Sequence, residues 1–173
     1  MTWNYAAVLR DGWDAHSAPI FGIIAMIPCT DYALCGAKWF AEKDKDGRTE
    51  QSQKLVKKTL EIINFFDDER LLKFWVVENP ASRIHKLNPW LGVPRLKYHP
   101  FWYAGYDPIP EKSQYAKWTW FWGRFNIPEK KELPCLLEGM KRHSMVGGKS
   151  EKTKAFRSLS PMGPAYAFAK ANG

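Results

Sequence analysis

The sequence is poor in the residues that build covalent or metal frameworks. Its 173 residues include three cysteines, Cys29, Cys35 and Cys135, and no CxxC pair. An odd count without that spacing argues against a disulfide scaffold and a structural zinc site. The four histidines, His16, His85, His99 and His143, are scattered, and none has HExxH or HxE spacing. No metal site is therefore expected. Long apolar runs are missing too. The longest, 20–28, is far too short to span a bilayer. The first residues, MTWNYAAVLRDGWDAH, lack the apolar core of a signal peptide. A soluble, intracellular protein without membrane contact is the expectation. Internal repeats and low-complexity blocks are also absent from the sequence.

What is present suits a folded chain. It is 45% hydrophobic and 15% aromatic, which rules out a disordered polymer. Its length suits one domain, 1–173, with a real core. The net charge is +8. Such an excess suits a polyanionic partner such as DNA or RNA, or serves solubility alone. The nine tryptophans add weight to a surface that stacks on bases or sugars, although most of them suit a core.

Along the chain, 19–28 (PIFGIIAMIP) reads as a buried strand of parallel-sheet type, stopped by proline. Residues 30–48 read as a loop. Thr49 suits a helix cap and Glu50 its first turn. Leu55, Val56, Thr59, Leu60, Ile63 and Phe66 then share one helical face. A second buried strand follows in FWVVENP, 74–80. Strand, helix, strand predicts a βαβ unit and an α/β fold. Residues 81–116 look irregular, and 118–125 (WTWFWGRF) reads as a strand. The segment 125–154 is a basic surface or recognition insertion. With Arg124 just ahead, it brings eight cations together: Lys130, Lys131, Lys141, Arg142, Lys149, Lys152 and Lys154 are the others. Such a run either neutralises phosphates or is a solvated face. The tail reads as a turn and a short helix from about Pro164.

Ligand sites in open α/β sheets lie beyond the carboxyl ends of strands. Cys29 and Glu78 each stand at such an end, so neighbouring strands would bring them to one crevice. There a thiolate attacks a polarised electrophile, and a carboxyl holds the proton that polarises it. Asn79 and Pro80 stiffen the loop behind it. The plainer alternative makes Cys29 a packing thiol and Glu78 a capping or salt-bridging carboxylate.

The stretch IPCTDYALCGAKWF, followed by ENP, resembles two central blocks of the DNA cytosine-5 methyltransferases, and more closely a phage and prophage branch of them. The matching residues are Pro28-Cys29-Thr30, Gly36-Ala37-Lys38-Trp39-Phe40, Lys45-Asp46-Gly47-Arg48 and Glu78-Asn79-Pro80. His99-Pro100, Tyr115, Lys117, Thr119 and Trp122-Gly123 look similar to later blocks, and RSLSPMGPAYAFAKAN to the closing one. The resemblance implies double-stranded DNA as substrate and a target cytosine flipped from the duplex. It implies that Cys29 attacks C6 while Glu78 contacts N3 and the exocyclic amine, and that S-adenosylmethionine methylates C5. Pro28, Thr30, Asn79, Pro80, Arg83 and Lys117 would bind substrate, with Arg83 on the base or a phosphate. Ser160 and Pro161 would lie near the cofactor. A cytoplasmic location in a bacterial host is implied as well.

The sequence also departs from that pattern. Full members begin with a strand and a glycine-rich turn that hold the methyl donor. The 28 residues before Cys29 contain no such turn, Ile27 replaces a second proline, and Phe21-Gly22 stands where an aromatic residue and an aspartate are common. The implied fold is a partial, N-terminally truncated Rossmann-like, mostly parallel sheet with flanking helices. A second chain carrying the glycine-rich half, or a homo-oligomer, would complete it and cover the sheet edge. A DNA-binding or protein-interaction module without methylation, or other chemistry at pyrimidine C6, are the alternatives.

Overall fold

The apolar run ending at Pro28 contains strand β1, Gly22–Met26, and the ENP run is β2, Phe74–Pro80. In the computed structural model, which describes residues 20–68, 72–136 and 160–173, the two strands pair in parallel with Met26 beside Glu78. Helices α1 (Phe40–Lys45) and α2 (Arg48–Asp68) fill the crossover between them. After β2 come the single turn α3 (Ile84–Leu87), β3 (Leu96–Tyr98), a 3-10 stretch over Pro100–Tyr106, and β4 (Thr119–Arg124). Helix α4, Met162–Asn172, closes the described chain.

The sheet order is β1-β2-β4-β3. β4 runs antiparallel to both its neighbours, so the sheet is mixed rather than mostly parallel. The sequence places β4 as a strand but carries no signal for its direction. Among the described residues, β1 pairs on one side only, with β2.

Strand alternation divides the side chains between two layers. On one face, Ile27, Val77 and Trp122 pack against Val56 and Ile63 of α2. On the other, Val76 and Phe125 pack against Phe168 of α4, and Tyr98 and Tyr103 against Ala167. Both faces of β2 are thus covered, which is why Val76 and Val77 are buried in succession. The α2 periodicity holds for Val56, Ile63 and Phe66, each worth about 1.5–3 kcal/mol of burial. Leu55 falls outside the stripe and is exposed. Thr49 lies inside the helix, and Asp46 accepts the Arg48 N–H instead (3.1 Å). The expected loop at 30–48 holds α1 and a 3-10 turn over Leu34–Trp39.

Two glycines allow close approach. Gly123 has φ +133°, and a Cβ there would strike the Trp75 carbonyl across the β2–β4 pair. Gly163 seats α4 directly on the Tyr103 carbonyl, and its N–H donates to Ser113 Oγ (3.2 Å). The far end of α4 is held by a reciprocal pair. The Asn126 N–H donates to Asn172 Oδ1 (2.7 Å), and Asn172 Nδ2 donates to the Asn126 carbonyl (3.0 Å).

Of the basic stretch, the part up to 136 follows the 3-10 stretch Pro100–Tyr106. The Gly105 N–H donates to the Lys131 carbonyl (2.9 Å), and the Lys131 N–H to the Trp102 carbonyl (3.1 Å). Lys141, Arg142, Lys149, Lys152 and Lys154 lie outside the described residues. Among the described residues no helix is long and apolar enough to cross a membrane, and no cluster of His, Cys, Asp and Glu could hold a metal ion.

Candidate active site

α4 covers β2, β4 and β3 but leaves the same face of β1 open, with Ile24 and Met26 more than half exposed at 56% and 57%. Between that open face and α4 lies a cavity of about 500 Å³. Its walls are largely apolar: Ile24, Phe74, Val76, Phe121 and Phe168 among them. Its polar end sits beyond the carboxyl ends of β1 and β2, where Cys29, Glu78 and Lys117 all line it.

Each of these positions follows from local structure. Glu78 shares a face with Phe74 and Val76 because residues two apart on a strand point the same way. Register sets it beside Met26 on one side and Phe121 on the other. Cys29 comes just after β1, as Pro28 ends the strand. Its carbonyl accepts the N–H groups of Tyr32 (3.0 Å) and Ala33 (2.8 Å), which closes a tight turn. The loops after the two strands are sewn together. Leu34 N–H donates to the Ala81 carbonyl (2.9 Å), Arg83 N–H donates to the Tyr32 carbonyl (2.9 Å), and Ala33 bridges Ser82.

The electrostatics suit a proton-holding pair. Burial pushes the Glu78 carboxyl above its ordinary value, against the nearby Lys117 ammonium, which pulls it down. Burial likewise pushes the Cys29 thiol up. Lys117 opposes that, while the charges of Glu78 and Cys35 add to it. At rest the sulfur therefore favours the thiol, and Lys117 is the neighbouring cation that favours the thiolate. Tyr98, also in the wall, is held well above the usual tyrosine value by burial and then by Glu78.

Of the residues expected from sequence, Cys29, Glu78, Pro28, Pro80, Lys117, Ser160 and Pro161 line this one cavity. Three others do not. Asn79 points to the opposite face of β2, fully buried, and its Nδ2 donates to the Ile27 carbonyl (2.9 Å). Thr30 is exposed, with its carbonyl taken by Lys43 Nζ (2.5 Å). Arg83 turns toward the crossover. It makes a forked pair with Asp44 (2.8 and 2.7 Å), donates to Thr49 Oγ1 (2.9 Å), and lies 3.8 Å over the Phe40 ring. That guanidinium holds the Asp44 carboxyl down at about 2. Sequence reading missed Tyr98, Phe121 and Phe168 as wall residues, because they reach the cavity only through the antiparallel half of the sheet and α4.

The chain matches no protein-family profile, no curated protein and no solved structure.

Proposed function

We propose that this chain supplies the base-activating part of a cytosine-5 DNA methyltransferase-like activity. The observation that carries the reading is the meeting of Cys29, Glu78 and Lys117 in one cavity beyond two parallel strand ends. The Rossmann-like ancestry belongs to the same reading.

A cytosine flipped into the polar end would meet a thiol, an acid and a cation. Glu78, which keeps its proton to higher pH than an exposed carboxyl, donates it to N3. The Cys29 thiolate, favoured by Lys117, forms the S–C6 bond. The C5–C6 π electrons then sit at C5 as an enamine, ready for an electrophile. Once an electrophile (a solvent deuteron in the exchange reaction) has bonded to C5, loss of the original C5 proton to solvent re-forms the C5–C6 double bond. That step expels the sulfur from C6 as thiolate and sends the N3 proton back to Glu78.

S-adenosylmethionine is the methyl source that the resemblance implies. The lining does not by itself fit it. Glu78 is the one acidic side chain among the described lining residues, and it serves the base. None is left for ribose hydroxyls or a sulfonium. Groups beyond the described residues, from a second chain or another copy, would have to complete a donor site. The open face of β1 is where such a partner would sit. The same shortfall, with the +8 charge, favours a second reading: a DNA-binding module that does not methylate.

Base activation can be tested without a donor. Reversible addition at C6 exchanges the C5 hydrogen with solvent. In heavy water, a duplex oligonucleotide should gain deuterium at cytosine C5 with the native protein and not with Cys29→Ser or Glu78→Gln. DNA that binds but never exchanges would leave only the binding module.

A further inference from the structure

The turn that carries Cys29 is fastened more heavily than a surface loop needs. Every carbonyl from Cys29 to Tyr32 has a donor. Cys29 O takes two backbone N–H groups, and Tyr32 O takes that of Arg83. Thr30 O takes Lys43 Nζ at 2.5 Å. Asp31 O takes Arg83 Nε at 3.2 Å. The Asp31 side chain is engaged at both oxygens, by Lys43 Nζ (2.9 Å) and Ser52 Oγ (2.5 Å). Lys43 is 8% exposed. Lysines are seldom buried unless paired, and this one spends its donors on the turn behind the thiol. It comes from α1 and Ser52 from α2, so both helices of the crossover grip one residue pair, Thr30-Asp31. Burial tends to raise the Asp31 carboxyl, but the Ser52 hydroxyl and Lys43 bring it below the usual value. It therefore stays a charged anchor at neutral pH.

We propose that Lys43, acting through Asp31 and the Thr30 carbonyl, is a positioning residue for Cys29: it locks the turn that holds the thiol within reach of Glu78 and Lys117. The inference rests on Cys29 as the reacting thiol of the proposed function, but not on DNA or on methyl transfer. Lys43 itself does not line the cavity, so it touches no substrate there. The charged or titratable groups facing the sulfur are Lys117, Glu78 and Cys35. Lys117 is the one that favours the thiolate, and it acts only while the turn holds the sulfur near it.

The test is native alkylation of Cys29 by iodoacetamide between pH 6 and 10, without DNA, followed on the Cys29 peptide by mass spectrometry. Lys117→Met is compared with its parent in three backgrounds: wild type, Lys43→Met and Lys43→Arg. In wild type, losing Lys117 should slow the reaction at pH 8 by about threefold or more and move its pH midpoint up. In Lys43→Met that ratio should fall toward one, and Lys43→Arg should restore it. A loss of stability alone would leave the ratio unchanged in the folded variant. An undiminished ratio in Lys43→Met, or no Lys117 effect in wild type, overturns the inference. If Lys43→Met does not fold, Asp31→Asn removes the carboxylate charge through which Lys43 acts while keeping the shape of the side chain, and an unchanged ratio there overturns it equally. Absence of C5 exchange with the coupling intact would strike the proposed function and leave the positioning role standing.

Discussion

Asn79 offers a sharp test of how the two strand ends are joined. Its amide is fully buried, and Nδ2 donates to the Ile27 carbonyl at 2.9 Å. Asn79→Ala removes a hydrogen bond worth about 1 kcal/mol net and leaves a buried carbonyl short of a donor, at about 1–3 kcal/mol. One term opposes this. Asn79 Oδ1 is buried without a partner, and deleting it relieves a desolvation cost of roughly 1 kcal/mol. The expected net loss is about 2 kcal/mol. For a chain of 173 residues, that lowers Tm by about 4–8 °C. In urea, with a slope of about 2 kcal/mol per molar, it lowers the midpoint by about 1 M. Asn79→Asp should be worse, because a carboxylate of the same shape cannot donate and would be buried as a charge. Urea melts of the three proteins measure both losses. If Asn79→Asp is as stable as wild type, or Asn79→Ala loses under about 0.5 kcal/mol, the Asn79–Ile27 bond does not hold the strand ends together.

Two other outcomes follow from the same geometry. The folded protein holds the Glu78 proton above the ordinary value of 4.5. Its contribution to stability is thus full below about pH 4.5 and is lost as pH rises through the elevated folded value. Glu78→Gln should remove that decline, so the gap between wild type and variant in urea melts should change across that window and be flat below it. Gly123→Ala combines a positive φ with a Cβ driven into the Trp75 carbonyl. It should cost more than about 2 kcal/mol, read as a Tm drop, whereas the same change at Gly36, which has open space around it, should cost far less.

The local pattern of the sequence carried the parallel core of the fold. Continuous apolar runs and a 3.6-residue stripe are enough to place β1, α2 and β2 and to set Cys29 and Glu78 near two strand ends. That they share a crevice depends on β1 and β2 being neighbours, which the parallel pairing supplies. What stayed hidden depends on long-range pairing. β3 is three residues long, too short for its pattern to stand out. The direction of β4 follows from its neighbours rather than from WTWFWGRF itself. Arg83, three residues after the ENP block, reads as a substrate contact by proximity. Asp44 and Phe40, which draw it away, come from helix α1, inside what the sequence presents as a loop. Asn79 reads as a cavity residue by the same logic, yet strand alternation turns it to the opposite face from Glu78.

The seam between the two post-strand loops has a consequence for how such a cavity could change. The spacing of sulfur and carboxyl is written in main-chain bonds: Leu34 to Ala81, Arg83 to Tyr32, and the bridge of Ala33 with Ser82. The walls at Ile24, Phe74 and Phe121 are side chains alone. Substitutions there can alter which molecule fits without altering the distance between the Cys29 sulfur and the Glu78 carboxyl, so the shape of the cavity can change while its frame stays as it is.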